Sequence, residues 1–185
     1  MFIRLLLIAG ISLSTMNVAH AENVLPLKFN PHESESWTQK PHWLYYNNPA
    51  VVAHFSINAG VGLFSVADSD RAMKWVSRLT PTEPGRFLVV TYKAQNIAVD
   101  HRREYVLYGN CGFDRQNNLL YPEDLVQDGT WQTVVLDLAA EDFECPMEQI
   151  AVNLQAAEEG SQPVFLLDFI GYANDIPAGA VVLDR

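Results

Sequence analysis

From residue 50 onward, short apolar stretches alternate with turn-forming residues. The stretches are rich in Val, Ile, Phe, Tyr, Trp and Thr, which favour pleated strands. They occupy residues 50–57, 61–66, 72–79, 86–94, 104–110, 130–138, 148–156 and 163–172. Turn residues such as Asn58-Ala59-Gly60 and Asp128-Gly129 separate them and can reverse the chain. The pattern predicts an all-β domain, a β-sandwich or jelly roll of about eight or more antiparallel strands. A helix is conceivable only over 139–149, where Pro146 limits it to a turn or two.

Alternation within the stretches predicts which side of each strand is buried. In 130–138, Val134, Leu136 and Leu138 lie on one face, and Trp131, Thr133 and Asp137 lie on the other. The stretch 148–156 likewise divides into an apolar face and a face that carries Asn153 and Gln155. One apolar and one mixed face per strand is typical of a sheet packed on one side and open, or half covered, on the other. The stretch 163–172 is apolar on both faces apart from Asp168, which predicts a central strand.

The N-terminus has the pattern of a secretory signal peptide. Arg4 precedes the apolar run 5–11, and Ala19-His20-Ala21 offers the small residues that signal peptidase requires. The run is shorter than the roughly 20 residues of a membrane-spanning helix. We therefore expect cleavage after Ala21, a periplasmic or secreted product and no membrane insertion. Residues 22–49 contain four prolines and predict an irregular segment packed on a single domain, 50–185.

Charge and cysteine content narrow the partners and the compartment. The formal net charge of −10 disfavours nucleic acid and anionic lipid as partners, whereas a neutral glycan or a cationic partner fits better. Cys111 and Cys145 are the only cysteines, and two cysteines in an exported chain predict one disulfide. Such a bridge would stabilise the fold by about 3–4 kcal/mol in the chain-entropy model.

Three segments together resemble the galactose-binding-like jelly rolls, a fold that includes many carbohydrate-binding modules. Residues 128–138 resemble a strand with the pattern Asp-Gly-x-Trp-x-Thr-Val-x-x-Asp-Leu, and residues 85–94 are similar to the long strand that precedes it. Residues 150–154 and 165–170 look like the closing pair, with Asp168 inside the last strand. The resemblance covers residues 60–172, and in it Trp131 is expected to anchor the core after a turn.

The same resemblance implies a structural calcium ion. In that family the ligands include an aspartate of the last strand, a position that Asp168 matches, with Glu33 or Glu35 as conceivable partners. Calcium takes six to eight oxygen ligands. The competing interpretation is a buried Asp168 that accepts backbone hydrogen bonds. No other cofactor is indicated.

A sugar site needs flat aromatic faces and planar polar groups. On the mixed, open face we expect Asn153 and Gln155 side by side, joined by Thr91 and Lys93 from a neighbouring strand and by Tyr105 as a platform. Trp37, Trp43, Tyr45 and Tyr46 form a second aromatic group near the N-terminal end. The first set could instead be a solvated face, and the second could be staples that hold the N-terminal segment on the sandwich.

These observations favour an exported, non-catalytic domain that binds a neutral polysaccharide. One alternative is an envelope or extracellular assembly protein that binds another protein. A second is a jelly-roll polysaccharide lyase or glycosidase, although the chain lacks the nucleophile elbow, the His-Glu-x-x-His motif and the P-loop. A glycosidase needs a spaced pair of carboxylates, and the sequence neither proposes nor excludes one.

Overall fold

The computed structural model describes residues 37–41, 53–66, 73–78, 84–99, 105–111, 115–141, 143 and 146–184. Within them lie eleven β-strands and one 3₁₀ turn at Pro122–Asp124, and no α-helix occurs in these ranges. The strands are β1 Trp37–Pro41, β2 Ala53–Asn58, β3 Val61–Val66, β4 Met73–Arg78, β5 Phe87–Gln95, β6 Leu107–Cys111, β7 Arg115–Leu120, β8 Gln132–Asp137, β9 Gln149–Leu154, β10 Val164–Ala173 and β11 Val181–Val182.

The strands form two sheets. The five-stranded sheet has the order β1-β4-β9-β6-β7, and all of its pairs are antiparallel. The six-stranded sheet has the order β11-β8-β5-β10-β3-β2, in which only the two-residue β11 runs parallel to its neighbour. β10 lies between β5 and β3, so the prediction that the stretch 163–172 forms a central strand is confirmed.

One continuous core fills the space between the sheets. The five-stranded sheet contributes Trp75, Val152 and Leu154, and the six-stranded sheet contributes Tyr92 and Phe165 among others. Alternation explains this sorting, because Leu88, Val90 and Tyr92 of β5 are all buried on the inner side. The predicted all-β sandwich is thereby confirmed.

The tight connection between β2 and β3 shows how turn chemistry sets the register. Ala59 and Gly60 both have positive φ, 50° and 84°, as a two-residue primed turn requires. This turn pairs Asn58 with Val61 and Phe55 with Phe64. The rings of Phe55 and Phe64 then lie 4.9 Å apart.

Two regions differ from the sequence prediction. Residues 37–41 fall in the segment expected to be irregular, yet they form β1 and pair with β4. The stretch expected to allow a short helix contains a hydrogen-bonded turn at 138–141, in which the amides of Ala140 and Glu141 donate to the carbonyl of Asp137.

Among the described residues no helix has the length and hydropathy to cross a membrane. Residues 1–36 lie outside the described ranges, so the signal peptide and its cleavage after Ala21 stay predictions.

Candidate functional site

The outer face of the six-stranded sheet carries a row of polar side chains along β5. Thr91, Lys93 and Gln95 alternate with the buried Tyr92 and Ala94 and therefore point away from the core. Thr91 and Lys93 are half-buried, and Gln95 is exposed. Thr91 and Lys93 are two of the side chains that the sequence predicts for ligand binding.

Thr133 of β8 extends this row sideways. It lies opposite Thr91 in register, and the two hydroxyl oxygens are 3.0 Å apart. Each hydroxyl has one donor hydrogen and two acceptor lone pairs. Because the pair shares one hydrogen bond, a donor and several lone pairs remain for a ligand.

Trp131 is exposed, with 48% of its surface accessible, and no other Trp, Tyr or Phe is exposed among the residues whose side chains the structure describes. It immediately precedes Gln132, which pairs with Tyr92, so the register places Trp131 next to Lys93. The expectation that Trp131 anchors the core is therefore wrong. The alternation in 130–138 already grouped it with the outward-facing Thr133, and that signal was the better guide.

The turn before Trp131 is fixed by its own side chains. Asp128 Oδ1 accepts hydrogen bonds from the backbone amide of Thr130 at 2.8 Å and from its hydroxyl at 2.6 Å. These bonds lower the pKa of Asp128 below its usual value. Gly129 has φ +76°, and a Cβ placed there would lie 2.6 Å from Gln95 Nε2, so the Gln95 side chain packs across this glycine.

β10 borders the row on its other side. Leu166 lies opposite Lys93 and Phe169 opposite Thr91, and the exposed Asp168 occupies a β-bulge between Leu167 and Phe169. We call the surface formed by these outward side chains the tryptophan face. It consists of Thr91, Lys93, Gln95, Trp131, Thr133, Leu166, Asp168 and Phe169.

Several polar groups on the tryptophan face are available to a ligand. Within the part of the chain that the structure describes, the side chains of Lys93, Asp168 and Trp131 make no hydrogen bond or ion pair. The half-buried Leu166 and Phe169 add apolar surface beside them. The face thus combines an aromatic ring with hydrogen-bond donors and acceptors, among them one positively and one negatively charged group.

The outer face of the five-stranded sheet differs, because it is buried. Val76, Tyr105, Tyr108 and Ala151 form a separate apolar cluster, in which the two tyrosine rings meet edge to face at 4.9 Å. Lys74 Nζ lies 4.4 Å from the centre of the Tyr108 ring, a cation–π contact. We call this group the tyrosine cluster.

The predicted side chains Asn153 and Tyr105 both lie on this buried face. Asn153 is 0% exposed, pairs with Lys74 in register, and its backbone amide donates to the carbonyl of Val106. Tyr105 is 2% exposed. The expectation that this face is open is therefore wrong, since neither side chain is accessible in this structure.

Gln155 does not form a surface pair with Asn153. β9 ends at Leu154, and Gln155 is half-buried with its backbone carbonyl accepting a hydrogen bond from Ala98. Thr91 and Lys93 belong to the other sheet, where β5 is bordered by β8 and β10. The structure therefore brings Thr91 and Lys93 together and separates them from Asn153 and Tyr105.

The second predicted aromatic group lies mostly outside the described residues. Trp37 begins β1 and is opposite Ser77 in register, whereas Trp43 and Tyr45 are not described. Their binding role and the alternative of packing staples both stay predictions.

The described residues do not supply a calcium site. Asp168 is exposed, which also rules out the alternative that it is buried and accepts backbone hydrogen bonds. Calcium needs several oxygen ligands together, and no group of three His, Cys, Asp or Glu side chains suited to a metal occurs among the described residues. Glu33 and Glu35 lie outside these residues.

Only one cysteine of the predicted disulfide lies within the described residues. Cys111 ends β6, and its Sγ lies 4.0 Å from Asn117 Nδ2. Cys145 lies outside the described residues, so the pairing stays a prediction.

No protein-family model matches the chain, and no curated protein matches its sequence. Solved structures with a similar arrangement include the enzymatically active domain of tailspike protein 4 of bacteriophage CBA120, with 13% identity and a TM-score of 0.48 over 81% of this chain and 21% of that one. A family 11 carbohydrate-binding module from Clostridium thermocellum, in complex with a mixed-linked tetrasaccharide, has 10% identity and a TM-score of 0.45 over 87% and 98%. The xylan-binding module CBM15 has 11% identity and a TM-score of 0.36 over 72% and 91%.

The chain therefore spans about a fifth of the tailspike chain and nearly all of the family 11 module. The identities are 13% or lower and the TM-scores are below 0.5. The more specific galactose-binding-like class stays a prediction from the sequence.

Proposed function

We propose that this chain is an exported, non-catalytic domain that binds a neutral polysaccharide on the tryptophan face. The observation that carries the proposal is the half-exposed Trp131 beside the outward polar row of β5. Exposure leaves the tryptophan ring without the free energy that burial would release, and a partner that covers the ring would gain it. Its flat ring is suited to stack on the C–H face of a pyranose ring.

The neighbouring side chains supply the directional contacts that a sugar needs. The Thr91–Thr133 hydroxyl pair, the Lys93 ammonium and the Gln95 amide can hydrogen-bond ring hydroxyls on either side of the stacked plane. Leu166 and Phe169 would exclude water beneath the bound polysaccharide. Most of these groups lie on β-strands, so the surface is held rigid before the ligand arrives, which lowers the entropic cost of binding.

The charge of the chain supports a neutral ligand. A net charge of −10 repels polyanions at a distance, and the face itself carries one ammonium, on Lys93, and one carboxylate, on Asp168.

Affinity gel electrophoresis with a panel of neutral and anionic polysaccharides tests the proposal. We expect a neutral polymer to retard the wild-type chain. Trp131→Ala should weaken that binding about tenfold or more, since loss of an aromatic anchor costs roughly 1.5–3 kcal/mol. Trp131→Phe should recover part of it. Ile176→Ala is the matched control, because Ile176 is similarly exposed, at 46%, but lies on the C-terminal segment.

Other outcomes would point to the remaining classes. Equal retardation of the wild-type and Trp131→Ala chains would remove the tryptophan face from the proposal. Release of new reducing or unsaturated ends from the polymer would indicate an enzyme. No retention on any glycan, together with saturable binding of a purified envelope protein, would favour the assembly class.

A further inference from the structure

A pocket of about 200 Å³ opens at the seam between the two sheets, away from the tryptophan face. Its floor is apolar and consists of Leu119 from β7, Leu136 and Leu138 at the end of β8, and Phe143. All four are at most 3% exposed. The floor is therefore the edge of the sandwich core, reached from the side.

The rim of the pocket is polar. Asn117, Asn118, Tyr121 and Glu141 line it, which brings two amides, a phenol and a carboxylate around one apolar floor. Asn117 Nδ2 faces Cys111 Sγ at 4.0 Å, and Asn117 Oδ1 takes no hydrogen bond from the described residues. Polar groups thus make up most of the surface that the pocket exposes.

A β-bulge explains how three consecutive residues of β7 reach the same pocket. In a regular strand, neighbouring side chains point to opposite faces. Here the pairing steps from Leu107 with Leu120 to Tyr108 with Asn118, which leaves Leu119 as the extra residue. Bulges re-aim side chains and are frequent next to functional sites. Asn117, Asn118 and Leu119 can thus all line one cavity.

The opposite rim is fixed by a network of hydrogen bonds. The amide of Glu141 donates to the carbonyl of Asp137 at 3.2 Å, and the amide of Phe143 donates to that of Leu138 at 2.9 Å. Asp137 in turn forms an ion pair with Arg86 at 2.9 Å. On the β7 side, the amide of Tyr121 donates to Asp124 Oδ2 at 2.8 Å. The backbone on both sides of the pocket is therefore held by hydrogen bonds.

The size and chemistry of the pocket define the ligand class. Sites for drug-sized molecules occupy roughly 300–1,000 Å³, so this pocket suits one ring rather than a chain. Amides, a phenol and a carboxylate match a ring rich in hydroxyl groups. Glu141 would repel a carboxylated sugar.

We infer that this seam pocket is a second binding site, for a single sugar residue without negative charge. The site shares its ligand class with the proposed function but none of its residues, so either proposal can fail alone. The residue could be a free monosaccharide or the terminal residue of a glycan, which present the same hydroxyl pattern to the pocket.

Amide NMR titration of the full chain tests the inference with neutral hexoses, N-acetylhexosamines and glucuronate as probes. We expect at least one neutral sugar to shift the resonances of 117–121 and 136–143, and glucuronate to bind more weakly. Glu141→Gln should weaken binding of the neutral sugar about tenfold, because a charged hydrogen-bond acceptor is lost. Glu141→Gln should also reduce the difference in affinity between the neutral sugar and glucuronate, which a merely structural effect would not do. Glu159→Gln, on an exposed loop, is the matched control.

Further variants separate the pocket from the tryptophan face. Asn117→Leu should weaken binding of the same sugar, whereas Trp131→Ala should leave the resonance shifts of the pocket residues unchanged. Separate titrations with the free monosaccharide and with a tetrasaccharide built from the same sugar distinguish the two ligand sources. Absence of pocket shifts with every neutral sugar at high millimolar concentration would overturn the inference, as would shifts that Glu141→Gln and Asn117→Leu leave unaltered. Either result is compatible with polysaccharide binding at Trp131.

Discussion

Gln127 forms a two-bond bridge with the backbone of Ile97. The amide of Ile97 donates to Gln127 Oε1 at 2.7 Å, and Gln127 Nε2 donates to the Ile97 carbonyl at 2.9 Å. A side chain here replaces a neighbouring strand, because it satisfies both backbone groups of a buried residue. It ties the loop after β5 to the loop that ends in Trp131.

Replacement of Gln127 should therefore destabilise the domain. Gln127→Ala leaves the backbone donor and acceptor of Ile97 unsatisfied, and we expect the free energy of unfolding to fall by about 2 kcal/mol. Urea denaturation measures this change. Gln162→Ala, an exposed glutamine whose side chain makes no hydrogen bond with the described residues, is the control. Equal stabilities of the two variants would contradict the bridge.

Gly129 and Gly160 form a natural pair for testing the turn before Trp131. Both have positive φ, +76° and +78°, so Gly→Ala strains both backbones by a similar amount, about 1 kcal/mol. A Cβ at Gly129 also meets Gln95, whereas one at Gly160 meets nothing within 4 Å. Because the Gln95 amide is the flexible end of an exposed side chain, it can move away at little cost, so Gly129→Ala should exceed Gly160→Ala by at most a few tenths of a kcal/mol in urea unfolding. A larger excess that the added substitution Gln95→Ala removes would contradict this and show that the Gln95 side chain is held in place.

The sequence located most strands because their signals are local. β3, β5 and β10 begin and end within one or two residues of the predicted stretches, since alternation and turn residues act over a few positions. β1, β7 and β11 were missed. β7 contains Arg-Gln-Asn-Asn and is an edge strand, where charged and polar residues are common and weaken the pattern. β11 has only two residues.

The candidate site was harder to predict because it depends on which strands become neighbours. Alternation placed Lys93 outward correctly, but nothing local shows that β5 and β9 belong to different sheets. The mixed face of β9 was expected to be open, yet Asn153 is fully buried there. The bulges at Asp168 and Leu119 are likewise set by the pairing of strands distant in sequence.

Tyr92 should stabilise the loop that leads to the tryptophan face. Its ring stacks on Phe165 in the core, and its hydroxyl accepts a hydrogen bond from the amide of Val126 at 3.1 Å. Tyr92→Phe keeps the ring and removes this bond together with the longer one that the hydroxyl donates to the Asp124 carbonyl at 3.4 Å, so we expect a loss of about 1 kcal/mol in urea unfolding at pH 7. Unchanged stability would show that the hydroxyl contributes nothing.

Burial raises the pKa of Tyr92 above its usual value. Its contribution is therefore present below about pH 10, the usual pKa of tyrosine, and is lost as the pH rises through the higher folded value. Tyr92→Phe should accordingly lose less stability than the wild type between neutral and strongly alkaline pH.

The ion pair of Arg86 and Asp137 predicts sensitivity to acid. The hydrogen bond from Arg86 lowers the pKa of Asp137. The stability from this shift is thus present above about pH 4, the usual pKa of aspartate, and is lost as the pH falls through the lower folded value. Thermal unfolding at pH 5 and pH 3 should show a smaller loss for Asp137→Asn and for Arg86→Met than for the wild type. Identical losses in all three chains would assign the acid sensitivity elsewhere.

The predicted disulfide can be tested by mass and by stability together. If Cys111 and Cys145 are bonded, the oxidised chain is two protons lighter than the reduced chain and does not react with iodoacetamide. Reduction should then lower the free energy of unfolding by about 3–4 kcal/mol, because the bridge closes a long loop that includes β7 and β8 and restricts the unfolded chain. The double substitution Cys111→Ser and Cys145→Ser should match the reduced wild type and be insensitive to reductant. Two alkylated thiols in the untreated exported protein would disprove the bridge.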